Sequence, residues 1–125
     1  MLDALRGEPI DEMLTVVQRI RTERKTAMLT NNLSPMDPTA PVARRLLPLF
    51  DAVVQSAVEG VRKPDPRFYL LACERLAVDP AECVFLDDLG VNCKPARALG
   101  MHTIKVTDPL EAISELESVL DVTLR

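Results

Sequence analysis

Tryptophan is absent from this chain, and aromatic residues together make up only 3% of it, so aliphatic side chains must fill whatever core it forms. Basic residues form no run: 15 Lys and Arg face 19 Asp and Glu, for a net charge of −4. Duplex nucleic acid, which selects a concentrated positive face, is therefore not an expected partner. No apolar stretch approaches the roughly 20 residues that a membrane-spanning helix needs. The opening MLDALRGEPI carries charges and lacks an apolar segment, so it does not read as a signal peptide. Cysteine is scarce, with Cys73, Cys83 and Cys93 evenly spaced along the second half. An odd number without CxxC spacing argues against a disulfide framework or a zinc site. The three thiols are expected as small buried apolar groups in a reducing compartment, with the cytoplasm as the default location. Neither an internal repeat nor a low-complexity segment is present.

What is there suits one small α/β domain: 125 residues, 47% of them apolar. Ile10, Met13, Leu14, Val17 and Ile20 recur at helical spacing, which predicts an amphipathic helix from about Asp11 to Arg24 with a cationic last turn. A buried strand over Thr26–Leu29 follows and stops at Thr30-Asn31-Asn32. Three prolines (35, 38 and 41) mark a loop, after which Val42–Leu47 is predicted as a short helix and FDAVVQ (50–55) as a second strand. The loop GVRKPDP leads to Asp65 as N-cap and Pro66 as first residue of a helix reaching about Leu76. CVFL (83–86) is a third strand, ending at Asp87-Asp88. The next helix closes on Gly100, a residue suited to a left-handed cap. His102–Val106 is a fourth strand, and Asp108-Pro109-Leu110-Glu111 opens the final helix. Strands alternating with helices predict a Rossmann-like parallel sheet covered on both faces. In such sheets ligands sit beyond the carboxyl ends of the strands, which brings Thr30-Asn31, Lys63 and Asp87-Asp88 into one candidate site.

Each of these features has an ordinary explanation when taken alone. One of the paired aspartates could cap a helix while the other faces water, Lys63 could be a solvated surface lysine, and Thr30 an ordinary strand end. In combination they carry chemistry. Adjacent carboxylates at the end of an apolar strand suit a hard divalent cation, lysine is a compact counter-charge for phosphate, and a threonine hydroxyl with the backbone N–H groups beside it can hold phosphoryl oxygens.

The series LTNN, then GVRKPDPRFY, then VFLDDLGVNCKPARALGMHTIKV resembles the haloacid dehalogenase (HAD) superfamily of hydrolases, subfamily IA, at three of its four signature motifs, over residues 10–125. The wording is most similar to the phosphatase-like domain at the front of soluble epoxide hydrolases and to the hydrolase-like domain fused to some acyl-CoA dehydrogenases. The resemblance implies magnesium-dependent hydrolysis of a small phosphorylated or related organic substrate. Thr30 and Asn31 would hold phosphoryl oxygens, and Lys63 would bridge the nucleophile and the phosphoryl group. Asp88 would ligate Mg2+ directly, with Asp87 as its water-mediated neighbour and Asn92 supporting that shell one helical turn later.

The family's first motif, an apolar strand ending in DxD that supplies the nucleophile and the acid–base group, has no counterpart here, and neither does its cap domain. Residues 1–10 are expected to be a cap or linker remnant and 11–125 the C-terminal part of the core. The chain is thus expected to be inactive alone, as a fragment or truncated form. A non-catalytic domain that binds phosphate or another protein is the alternative. A receiver-type signalling domain is disfavoured, because it places its acidic pair after the first strand. The missing strand belongs between those ending at Thr30 and at Asp88. Its neighbours must therefore pair directly, accept a second chain (a further copy or another partner) or stay loosely joined.

Overall fold

The computed structural model describes residues 11–124. The expected cap or linker remnant at 1–10 lies outside them. Helix α1 (Asp11–Ile20) buries Val17 and Ile20 of the predicted stripe together with Val16, while Met13 and Leu14 are partly buried against the same core. It ends short of Arg24, where the Thr22 hydroxyl donates to the Arg19 carbonyl at 2.7 Å and competes with the helical ladder. Four strands follow in the predicted order, each four residues long: β1 (Ala27–Thr30), β2 (Ala52–Gln55), β3 (Val84–Asp87) and β4 (His102–Lys105).

The connecting helices are α2 (Pro41–Leu46), α3 (Ser56–Glu59), α4 (Pro66–Leu76), α5 (Gly90–Ala98) and α6 (Pro109–Leu120). The predicted starts hold in atomic detail. The Asp65 carboxylate accepts from Arg67 N at the head of α4, Asp108 accepts from Leu110 N at the head of α6, and each helix carries proline in its first turn. Gly100 adopts φ 101°, the left-handed conformation expected after α5. Helix α3 is an addition. Ser56 is tied to the Asn32 backbone, and the turn closes on left-handed Gly60 at φ 72°.

All pairing is parallel, and the two faces are covered by different helices. Ala27, Leu29, Val54 and Phe85 pack with Phe68, Tyr69 and Ala72 of α4 and Cys93 and Ala96 of α5. Leu86 and Ile104 pack with Val16, Val17 and Ile20 of α1 and Ile113 and Leu116 of α6. Alternate residues of short buried strands thus feed two cores, as expected for a parallel sheet between helical layers. Tyr69 meets Phe85 edge to face at 5.1 Å. Its hydroxyl donates to the Asn92 carbonyl at 2.6 Å, so the only tyrosine joins α4 to α5.

The sheet is interrupted. Ladders join β1 to β2 and β3 to β4, and among the described residues no strand pairing links the two halves. The open edge can be read from hydrogen-bond parity. Asp51 N and Ala52 N donate to the Thr26 carbonyl, so Ala27 and Leu29 turn their backbone polar groups away from β2. His102 N donates to Cys83 O and Val106 N to Asp87 O, so Val84 and Leu86 turn theirs away from β4. Where β1 and β3 begin, a cavity of about 370 Å³ opens, lined by Thr26, Cys83 and Val84 together with Ile20, Leu76 and Leu116. The interruption therefore falls between the strands ending at Thr30 and Asp87, as the sequence led one to expect, and β1 and β3 do not pair directly.

Candidate active site

The carboxyl ends of β1 and β3 are joined by one side chain. Lys63 is 5% exposed, and its Nζ donates to the Leu29 carbonyl and to Asp87 Oδ2, each at 3.0 Å. The Leu29 carbonyl is one of the groups that β1 turns toward the open edge, so an ammonium stands where a neighbouring strand would offer a backbone donor. Asp87 is 1% exposed. Its Oδ2 also accepts from Asn92 Nδ2 at 3.2 Å, and its Oδ1 accepts from Leu89 N at 2.9 Å. Two removed charges of opposite sign are thereby compensated, which burial requires of them.

Lys63 is held in turn by Asn31. The Asn31 amide receives Lys63 N on Oδ1 at 2.9 Å and donates through Nδ2 to Lys63 O at 3.0 Å, and the Lys63–Pro64 peptide is cis. Asn32 performs the same service toward the exit of β2. Its Oδ1 accepts from Ala57 N at 3.0 Å, and its backbone N–H donates to Ser56 Oγ at 2.8 Å. The TNN tripeptide therefore places Thr30 at the end of β1 and uses both asparagine side chains to anchor the loops that follow β1 and β2.

Of the residues expected in the site, Lys63, Asp87, Asn92 and Asn31 form one connected hydrogen-bonded group. Thr30 is half-buried at the same sheet end, opposite Gln55 across the ladder. Asp88, also half-buried, follows Asp87 at the end of β3. Two features were not anticipated from sequence: the Asn31 clamp on the Lys63 backbone, and the pairing of Lys63 with Asp87. The local signal for the first was present in the polar TNN turn. Its partner lies 32 residues away, however, and no local rule names it.

Magnesium requires oxygen ligands in near-octahedral array and is commonly held by one or two carboxylates, with water and phosphate oxygens completing the shell. Among the described residues no three His, Cys, Asp or Glu side chains gather to hold a metal. Asp87 already accepts three hydrogen bonds. Adjacent carboxylates, Asp87 and the half-buried Asp88, are the donor chemistry a hard cation takes, with water and ligand oxygens completing such a shell. Among the described residues no helix is long and apolar enough to cross a membrane.

The class of protein is defined by sequence comparison. A family model for haloacid dehalogenase-like hydrolases matches residues 2–100, and the chain belongs to that family. It is 46% identical over 115 residues to mouse (Mus musculus) acyl-CoA dehydrogenase family member 10, covering 90% of this chain and 10% of that protein. It is 44% identical over 105 residues to the pig (Sus scrofa) bifunctional epoxide hydrolase 2, covering 79% of this chain and 19% of that protein. The chain thus spans a fifth or less of these relatives' lengths. Its fold is shared with a HAD family enzyme from Bacteroides thetaiotaomicron solved with magnesium and inorganic phosphate. The TM-score is 0.64 and the identity 20%, over 84% of this chain and 58% of that one.

Proposed function

We propose that this chain carries the phosphate- and magnesium-holding part of a phosphate-ester hydrolase site. The observation that carries the reading is the buried Lys63 ammonium, fixed between the ends of β1 and β3 by Leu29 O and Asp87 Oδ2. A positive charge held rigidly at the carboxyl ends of parallel strands is preorganised for an anionic ligand and pays little reorganisation on binding. The Thr30 hydroxyl and the Asn31 backbone N–H would donate to phosphoryl oxygens, with the Asn31 side chain holding the lysine backbone in place. Asp88 would ligate Mg2+, and Asn92 would keep Asp87 oriented behind it. Magnesium would neutralise charge on the phosphoryl oxygens. The presence of magnesium and phosphate in a structure of the same fold supports this choice of ligands.

The sequence offers no apolar strand ending in DxD to supply a carboxylate in line with phosphorus, and positioning of that group provides much of the rate in phosphoryl transfer. The 125-residue chain is therefore expected to bind without turning over. The substrate is a small phosphorylated or related organic molecule. The facing edges of β1 and β3, which pair with no strand among the described residues, suit an extended segment of a second chain that would meet backbone groups of Ala27, Val84 and Leu86.

The test is titration calorimetry with Mg2+ and inorganic phosphate on the wild type, Thr30→Val and Asp88→Asn, with an aryl phosphate assay alongside. The expected result is weak Mg2+ binding that Asp88→Asn reduces at least tenfold with an unchanged melting temperature, and no turnover. Equal Mg2+ affinity in both proteins would remove Asp88 from the ligand set. Turnover that survives purification and requires Lys63 would overturn the non-catalytic assignment.

A further inference from the structure

All three cysteines are buried and none is in a disulfide, as their odd number and the lack of CxxC spacing suggested, but they are not equivalent. Cys93 lies on α5, with its Sγ near the Asp87 carbonyl at 3.8 Å. Cys73, on α4, and Cys83, immediately before β3, place their sulfurs 3.9 Å apart, in van der Waals contact. Cys83 Sγ also approaches the Asp79 carbonyl at 3.4 Å. Cys83 lines the cavity between α1, α4 and α6, so the pair has one member with a route to small solutes. Nothing in the proposed hydrolase chemistry uses either thiol.

We propose that Cys73 and Cys83 are an oxidation-sensitive dithiol that closes to an internal disulfide when a small organic disulfide enters the cavity beside Cys83. The Cys83 thiolate attacks one sulfur of the oxidant, forming a mixed disulfide and expelling the first thiolate. Cys73 then gives up its proton, attacks Cys83 Sγ and expels the second thiolate. The protein loses two hydrogens and the oxidant is reduced to two thiols, so electrons and protons balance. The order of attack follows from access, since Cys83 lines the cavity and Cys73 does not, and the S–H···S contact between the two sulfurs works in the same sense. That hydrogen bond lowers the Cys83 pKa against the opposing effect of burial, and it raises that of Cys73. The closed bond would tie α4, which follows the Lys63 loop, to the strand that ends in Asp87. It would restrain the two elements whose relative position sets the Lys63–Asp87 contact.

The experiment is exposure of the folded chain to hydroxyethyl disulfide across a neutral-to-alkaline pH series. Alkylation under denaturing conditions and peptide mass mapping follow. The expected result is a linked Cys73–Cys83 peptide pair with Cys93 alkylated, faster closure at higher pH, a raised melting temperature and reversal by a thiol reductant. In Cys73→Ser the oxidant adduct should accumulate on Cys83, whereas in Cys83→Ser no adduct should form on Cys73. A wild type that keeps all three thiols alkylatable, under conditions that oxidise an exposed control dithiol, overturns the proposal. So does an adduct on Cys83 that Cys73 never displaces. The wild-type mapping decides the matter even where a serine variant fails to fold.

Discussion

Replacement of Lys63 by methionine tests the central contact directly. The substitution keeps most of the apolar stem and removes the ammonium, which deprives the 1% exposed Asp87 of its lysine donor, while Asn92 Nδ2 and Leu89 N still donate to it, and takes a donor from the Leu29 carbonyl. Removing one member of a buried ion pair costs about 3–5 kcal/mol, because the surviving charge remains desolvated and uncompensated. Domains of this kind have net stabilities of about 5–15 kcal/mol, so the loss is a large share of the total. At about 3–5 °C per kcal/mol for a chain of this size, the melting temperature should fall by roughly 10–25 °C. The assay is urea unfolding followed by circular dichroism, run on Lys63→Met, Asp87→Leu and the double variant. The double variant should recover part of the loss, since replacing both charges by apolar groups is often near neutral. Recovery should stay incomplete, because Leu89 N and Asn92 Nδ2 also lose their acceptor. A cost below about 1 kcal/mol for Lys63→Met, the value of a solvent-exposed pair, would refute the burial argument and with it the preorganised charge.

Two further outcomes follow from the same contacts. Asn31→Ala removes both hydrogen bonds to the Lys63 backbone and should cost about 1–3 kcal/mol while lowering phosphate affinity; unchanged stability would mean the loop is held by other means. Asp65 has a folded-state pKa below its ordinary 3.8, held there first by the Arg67 side chain and then by the Arg67 backbone N–H. A depressed carboxylate pKa contributes stability that is present above the unfolded value and lost as pH falls through the folded one. Asp65→Asn should therefore melt lower than wild type at neutral pH, and the two curves should converge as the solution is acidified below 3.8. A constant gap at all pH values would rule out the charge as its cause.

Much of the architecture was legible because it rests on local rules. Four short apolar runs bounded by polar turns gave the strands, and the Asp65-Pro66 and Asp108-Pro109 pairs gave the helix starts. Gly100 gave the end of α5, because few other residues tolerate its φ of 101°. With helices between parallel strands, the carboxyl-end rule alone gathered Thr30, Lys63 and Asp87-Asp88 at one end of the sheet. Their partners were not legible. Sequence could not say that Lys63 would reach Asp87, because the choice depends on which way the last residue of β3 points and on the Leu29 carbonyl left open at the sheet edge. Nor could it predict the Asn31 clamp or the contact of Cys73 with Cys83, since each joins residues on different elements. Short-range propensity and periodicity fix which segments become strands and helices. Long-range packing decides which buried charges, amides and thiols meet, because a desolvated group must take whatever partner the folded chain brings within hydrogen-bond distance.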